Sequence, residues 1–306
     1  MNIGIDVGGM SIKAGIVDDS GNVLAKYSVP TPLDGNESFC AAMKKAIDEV
    51  LKIHPVEENS SIGIGAPGIV DRENGKLVYS TNIGYKDVPV RDFLEKEYEC
   101  EVYVENDANC AALGEFYASG GKKNFAFITL GTGVGGGVIL NGKLFTGSNG
   151  VGCELGHIVT HAGGAKCGCG RNGCWEAYAS VTALMRFTEE ARESLNIGNA
   201  KISGKTVFDE AKKGNSSAIE VRDKWIEEVS IGVTNIVNIF QPEEIVIGGA
   251  ISKEGDTLLL PIREYVDAHE YCAKHKDIKI TKINLPRAGD SAGIIGAAYI
   301  GRNIKE

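Results

Sequence analysis

The sequence predicts an α/β protein with two domains around a cleft, assembled from a duplicated unit. Three observations carry that prediction. A glycine run, Leu130-Gly131-Thr132-Gly133-Val134-Gly135-Gly136-Gly137, follows the short apolar segment Phe125-Ala126-Phe127-Ile128. The N-terminus has the same arrangement, with Asn2-Ile3-Gly4-Ile5 leading into Asp6-Val7-Gly8-Gly9-Met10-Ser11. Each glycine loop is followed by a second apolar segment and then a tight-turn signal, Asp19-Ser20-Gly21-Asn22 in one case and Asn141-Gly142 in the other. Asn-Gly is a strong hairpin signal because both central residues of the favoured turn need positive φ. Strand, glycine loop, strand, turn, strand therefore occurs twice, about one domain length apart. A chain of 306 residues has room for two such domains.

The remaining elements follow in order. Residues from Asn2 to about Pro30 read as a three-stranded meander. Glu37 to Ile53 sets Phe39, Met43, Ile47, Val50 and Leu51 at helical spacing. Ser61 to Gly65 is a short strand ending in the turn Ala66-Pro67-Gly68, and Val102-Tyr103-Val104 is another. Asn106-Asp107-Ala108-Asn109 then opens an alanine-rich helix carrying Glu115. An Asn or Asp at such a junction is first a helix cap, since its side-chain oxygen takes unpaired N–H groups of the first turn. The second meander runs from Phe125 to about Phe145, and a glycine- and cysteine-rich loop occupies Gly147 to Gly173.

Two helices are predicted next, Trp175 to about Leu195 and Ser216 to Phe240, the latter stopped by Gln241-Pro242. Glu244 to Ala250 reads as a buried strand entering a third glycine turn, and Ile278 to Leu285 as a further strand. Ala292 to Tyr299 suits a closing helix whose small residues permit tight contact. The domain boundary falls near Ser119-Gly120-Gly121-Lys122. That gives a smaller domain of residues 1–119 closed by about 288–306, and a larger one of 120–287 holding the cysteine loop.

Composition narrows the function. The hydrophobic content of 43% suffices for a sizeable core. The net charge of −9 argues against nucleic acid as the main partner, because a phosphate backbone demands basic patches. The densest basic stretch, Lys274-His275-Lys276 to Lys282, is interrupted by Asp277 and reads as a solvated face. The chain opens directly into a strand-like segment without a basic-then-apolar leader, and no apolar run is long enough to cross a bilayer. A cytoplasmic enzyme is expected. Of the eight cysteines, Cys40, Cys100, Cys110, Cys153 and Cys272 are scattered and read as small buried hydrophobes.

Two motifs mislead. Gly131-x-Gly133-x-x-Gly136 matches a dinucleotide fingerprint, but that motif needs a helix to begin inside the glycines, and Gly137-Val138-Ile139-Leu140 continues as strand. Ser203-Gly204-Lys205-Thr206 resembles the end of a P-loop, yet Asn199 stands where its first glycine belongs. It reads as a turn ahead of a helix.

The chemistry lies in the loops. Glycines let backbone approach a ligand closely, and successive N–H groups can form a nest for anions. Two such loops, facing each other, suit a polyphosphate. Asp6, heading the first, could meet Mg²⁺ directly or through water, or serve as a turn carboxylate. Cys167, Cys169 and Cys174 stand as C-x-C-x₄-C, and with one histidine they offer a closed tetrahedral set for structural Zn²⁺. Spacing leaves His157 and His161 both open as the fourth ligand.

These residues resemble the ROK family of bacterial sugar kinases and repressors, which have the actin/hexokinase-like (ribonuclease H-like) duplicated fold. The resemblance covers essentially the whole chain. It is carried by Asp6 to Gly9, Gly63 to Gly68, Glu105 to Asn109, Leu130 to Gly137, Glu154-Leu155-Gly156-His157 and Cys167 to Glu176. It implies ATP-dependent phosphorylation of a hexose at its 6-hydroxyl, glucose above all. The same chemistry on N-acetylmannosamine or another hexose or hexosamine is one alternative. A sugar-responsive regulator is another, but the regulators carry an N-terminal helix-turn-helix, and this chain starts at the first strand.

By resemblance Asp107 is the catalytic base, and Gly68, Asn106, Asp107, Glu154, His157 and Glu176 bind the sugar, with Thr81 a weaker match. Gly8, Gly9, Met10 and Ser11, with Asp6 and Lys13, meet the ATP phosphates from one side, and Gly131, Thr132, Gly133, Val134, Gly135 and Gly136 from the other. Gly249 borders the adenosine. His157 becomes the fourth zinc ligand, which leaves its other ring nitrogen for the sugar. Met10 stands where most relatives have Thr, so the hydroxyl that would reach a phosphate is absent there. A homodimer or dimer of dimers is expected on the same ground.

Overall fold

The computed structural model describes residues 1–56, 60–80, 83–272, 275 and 281–305. Thr81, most of the basic stretch and the start of the strand expected from Ile278 lie outside them. The first meander forms as expected: β1 (Asn2–Val7), β2 (Ser11–Val17) and β3 (Val23–Pro30) pair antiparallel. Helix α1 (Asn36–Ile53) follows, burying Phe39, Met43, Ile47 and Val50 along one face. Strand β4 (Ile62–Ala66) adds parallel to β1. A small antiparallel sheet absent from the sequence prediction comes next, made of β5 (Ile69–Asp71), β6 (Lys76–Tyr79) and β7 (Lys86–Val88). These strands are too short to show alternation. After α2 (Val90–Tyr98), β8 (Val102–Asn106) pairs parallel to β4 and leads without a loop into α3 (Asp107–Ala118).

The second meander is β9 (Phe125–Leu130), β10 (Val134–Leu140) and β11 (Lys143–Phe145). The helix expected from Trp175 to Leu195 is instead three pieces, α4 (Glu176–Ala179), α5 (Val181–Glu190) and α6 (Arg192–Leu195). Ser180 breaks it: its backbone is extended and its side chain accepts from the Ala183 N–H, capping α5. Then come α7 (Thr206–Lys212), α8 (Ser216–Phe240), β12 (Glu244–Gly248), α9 (Asp256–His269), β13 (Lys282–Asn284) and α10 (Ala292–Lys305). Helix α7 does begin after the false P-loop, and β10 does continue as strand beyond the glycines.

The two five-stranded sheets have the orders β3-β2-β1-β4-β8 and β11-β10-β9-β12-β13. In each, a three-stranded meander is extended on the side of its first strand by two later strands, β4 and β8 in one sheet and β12 and β13 in the other. The repeat seen in the glycine loops is thus a repeat of topology. By contacts the chain divides into two compact units. Unit 1 holds residues 1–127, 136–153 and 287–306, and unit 2 holds 128–135 and 154–286.

In unit 1 a single core joins the first sheet to α1 and α2, with Ile5, Ile12, Ile16, Met43, Ile47, Ile62 and Ile64 fully buried. Helix α10 lies directly on the backbone of β1 and β4. A Cβ at Gly4 would overlap the Ile294 carbonyl, and one at Gly63 would overlap that of Ala297. Buried Glu115 of α3 accepts the N–H groups of Arg287, Ala288 and Gly289 at 2.8, 3.1 and 3.1 Å, fixing the turn ahead of α10. Gly63→Ala is expected to cost about 3 kcal/mol, the upper range for overpacking, because backbone rather than a flexible side chain must yield. Urea unfolding checks this; an unchanged midpoint would contradict the packing. In unit 2 the core centres on Trp175, Trp225 and Phe208, with Trp225 Nε1 donating to Ser180 O at 3.0 Å.

Candidate active site

Unit 1 carries one group of the expected residues. The first loop is a tight turn in which Gly8 N–H donates to Ser11 O at 2.9 Å. Thr31 braces it, its N–H donating to Met10 O at 3.1 Å and its hydroxyl to Gly8 O at 2.7 Å. The Met10 side chain is 90% exposed at the tip, an unusual place for so apolar a group. Lys13 is not a bare surface lysine: its Nζ lies 3.6 Å from Asp6 Oδ2. Asp6 in turn abuts the start of α10, where only a glycine, Gly293, leaves it room.

The β8–α3 junction is built with unusual economy. Asn106 caps α3, its Oδ1 accepting from Ala108 N–H at 2.9 Å and Asn109 N–H at 3.2 Å. Its Nδ2 donates to Gly68 O at 3.2 Å, so two of the expected sugar residues touch. Gly68 has φ +106°, and a Cβ there would overlap Tyr79 O, so no other residue fits. Asp107 is the first helical residue rather than the cap, with Oδ1 accepting from Ala108 N–H at 2.9 Å. The preceding Glu105 is wholly buried and ion-paired with Arg72. That pair was not anticipated. The sequence hinted at it only in that a carboxylate at the end of an apolar strand needs a partner.

Unit 2 carries the other group. Gly131 N–H donates to Gly133 O at 3.0 Å, closing the second loop. The turn from Glu154 to His157 is a short 3₁₀ segment, and Gly156 packs so closely on Val134 that a Cβ would overlap its carbonyl. Gly249, at φ +92°, lies equally close to Leu130 O. Glu176 bridges the loop and the cysteines: Oε2 accepts from Val134 N–H at 3.0 Å, and Oε1 lies 3.4 Å from Cys167 Sγ.

The ligand atoms of His157, Cys167, Cys169 and Cys174 all lie within 4.8 Å of one another, so this group could hold a metal ion. His157 presents Nδ1 to Cys167 Sγ at 3.7 Å, and Cys169 and Cys174 sulfurs are 3.7 Å apart. Of the two histidines that spacing left open, His157 is the one that stands with the thiols. His161 instead stacks on Tyr178 with ring centroids 4.0 Å apart and faces Glu228 at 3.6 Å. Burial pushes the Cys167 thiol up to about 12, while the backbone N–H of Arg171 holds Cys169 below its ordinary value. A buried thiol such as Cys167 gives up its proton readily only to a cation. No helix among the described residues is long and apolar enough to cross a membrane.

Duplicated sheets, each opening on a glycine loop between its first two strands, define an actin/hexokinase-like fold. Residues 2–304 match the ROK family, and the chain belongs to it. It is 38% identical to a glucokinase of Halalkalibacterium halodurans, over 97% of this chain and 94% of that one. A ROK family glucokinase of Streptomyces griseus, solved in complex with glucose and AMPPNP, is 35% identical and superposes with a TM-score of 0.81, covering 98% of this chain and 99% of that one. A xylose repressor of Bacillus spizizenii is 31% identical over 88% of this chain and 69% of its own length.

Proposed function

We propose that this protein is an ATP-dependent hexose kinase that phosphorylates the 6-hydroxyl of glucose. The observation that carries the proposal is the β8–α3 junction, where Asn106, Gly68 and Asp107 are held together by three elements of unit 1. It is supported by near-full-length similarity to glucokinases. Asp107 accepts the proton of the 6-hydroxyl as its oxygen bonds to the terminal phosphorus of ATP and the bond to ADP breaks. The transition state is loose, so Asp107 mainly aims the hydroxyl.

Asn106, Glu154, His157 and Glu176 hold the sugar, carboxylates suiting vicinal hydroxyls because each oxygen can accept more than one hydrogen bond. The Gly68 backbone lies against the sugar. Gly9, Met10 and Ser11 face the phosphates from the first loop, and Thr132, Gly133, Gly135 and Gly136 from the second. The N–H groups of Gly8, Gly131 and Val134 already have protein partners, so they shape these loops rather than donate to phosphate. Asp6 meets the Mg²⁺ that accompanies ATP, Lys13 steadies Asp6, and Gly249 borders the adenosine. Residues 1–119 with about 288–306 form the smaller domain and 120–287 the larger, the protein working in the cytoplasm as a homodimer.

The chemistry of the His157, Cys167, Cys169, Cys174 set fits structural Zn²⁺, to which three sulfurs and one imidazole would supply four protein ligands. With all four positions taken by protein, the ion would supply no reaction chemistry, and its ligands would be held in fixed orientation. His157 turns Nδ1 toward the thiols, which leaves Nε2 for a sugar hydroxyl.

A coupled assay for ADP with Mg²⁺, ATP and a hexose panel tests the proposal. Glucose is expected to give turnover and a 6-phosphate, with N-acetylmannosamine slower. A faster N-acetylmannosamine would reassign the substrate. Hexose binding without ADP release from any sugar would favour a sugar-responsive regulator.

A further inference from the structure

We propose that Arg72 and Glu105 are positioning residues for the base at Asp107, with Thr146 as their outer anchor. The inference rests on the kinase reading above. Glu105 is the penultimate residue of β8, two residues before Asp107, and is wholly buried. Its Oε1 accepts the Asn106 N–H at 2.8 Å and the Asn109 side-chain amide at 2.9 Å. Those two donors stand on either side of Asp107 in sequence. One carboxylate thus grips the strand-to-helix turn before and after the base, and the direction of the Asp107 side chain follows from how that turn is held.

The other oxygen of Glu105 meets the Arg72 guanidinium. Arg72 Nη1 donates to Thr146 Oγ1 at 2.6 Å, and the Arg72 carbonyl accepts from Arg91 Nη2 at 2.9 Å. A cavity of about 160 Å³ borders Arg72 and Glu105. Polar partners rather than close packing therefore set the guanidinium. A fork of donors suits this task, since it can serve a carboxylate and a hydroxyl at once.

A buried ion pair adds little stability over apolar packing, but removing one member strands the other charge. Stranded, Glu105 would seek water or other donors and turn the junction with it. Phosphoryl transfer punishes that, because a displacement of about 1 Å at a reacting group can cost about 100-fold. Asn106 caps the helix whether or not Glu105 is charged, so the sugar contacts suffer less than the aim of the base.

The test compares Arg72→Met and Arg72→Lys with the parent. It reads kcat in the coupled assay, and glucose Kd and stoichiometry by titration calorimetry. Stoichiometry counts binding-competent molecules, so lost turnover is separated from lost folding. Arg72→Met is expected to lower kcat per glucose-binding site by about 10- to 100-fold, with glucose Kd within about threefold. Arg72→Lys keeps the cation and is expected to recover part of that loss. A kcat per site within about threefold of the parent in Arg72→Met would overturn the proposal, as would a loss explained wholly by fewer binding sites. If Arg72→Met does not fold, Thr146→Val decides, since it removes only the outer anchor. A kcat lowered about threefold at full stoichiometry supports the proposal, and an unchanged kcat overturns it. A parent protein that turns over no hexose would refute the kinase reading, whereas an active parent with unaffected variants refutes only the positioning pair.

Discussion

Asp107→Asn is expected to lower kcat by about 10²- to 10⁴-fold while glucose affinity changes only a few-fold. The substitution nearly preserves shape. Asparagine retains an oxygen that can accept the Ala108 N–H, which Asp107 Oδ1 accepts at 2.9 Å, so the first turn of α3 has no reason to rearrange. Asn106 remains the cap and Glu105 still holds the turn. What is lost is the capacity to take the hydroxyl proton. A general base acts in the transition state more than in the ground state, so the loss belongs in kcat rather than in binding. Steady-state kinetics with a glucose titration check both halves. Turnover within tenfold of the parent would contradict the role given to this carboxylate.

The second large effect concerns the cysteine loop. Stripping metal with a strong chelator, or substituting Cys169→Ser, is expected to lower the melting temperature by on the order of 10 °C and to weaken glucose binding in parallel. The two effects are linked through His157, whose ring would lose the ion that orients it, and through Glu176, which lies between Cys167 and Val134. Without an ion, three sulfurs crowd one imidazole, and burial holds Cys167 as a thiol to about 12. Binding the ion must release protons, so affinity for it falls as pH falls. Calorimetry on protein of measured zinc content is the check. Unchanged melting after verified zinc loss would contradict a structural role.

Much of this was legible before folding. Both glycine loops, the Asn106-Asp107 junction and the small-residue stripe of α10 are local patterns, each set by the conformational demands of a few adjacent residues. Helix α8 has the expected bounds, since Gln241-Pro242 stops it, and the structure adds that Asn215 caps its start. Other features escaped for identifiable reasons. Strands β5 to β7 are three or four residues long, too short a run for alternation to reveal them. The break at Ser180 depends on a capping bond that competes with continuing the helix, and nothing in the apolar spacing marks it. The Lys13–Asp6 pair depends on the β1–β2 register, which sets the two residues opposite each other.

The amino-acid order determined the duplicated topology, the family and the roster of chemical groups, because those depend on short-range propensity and spacing. Only the folded chain decided that Arg72 meets Glu105 and that α10 rests on Gly4 and Gly63. Each of those is a pairing between segments distant along the chain. Such pairings are chosen by the burial of charge and the close packing of backbone, which act on three-dimensional neighbours and leave no periodic trace in sequence.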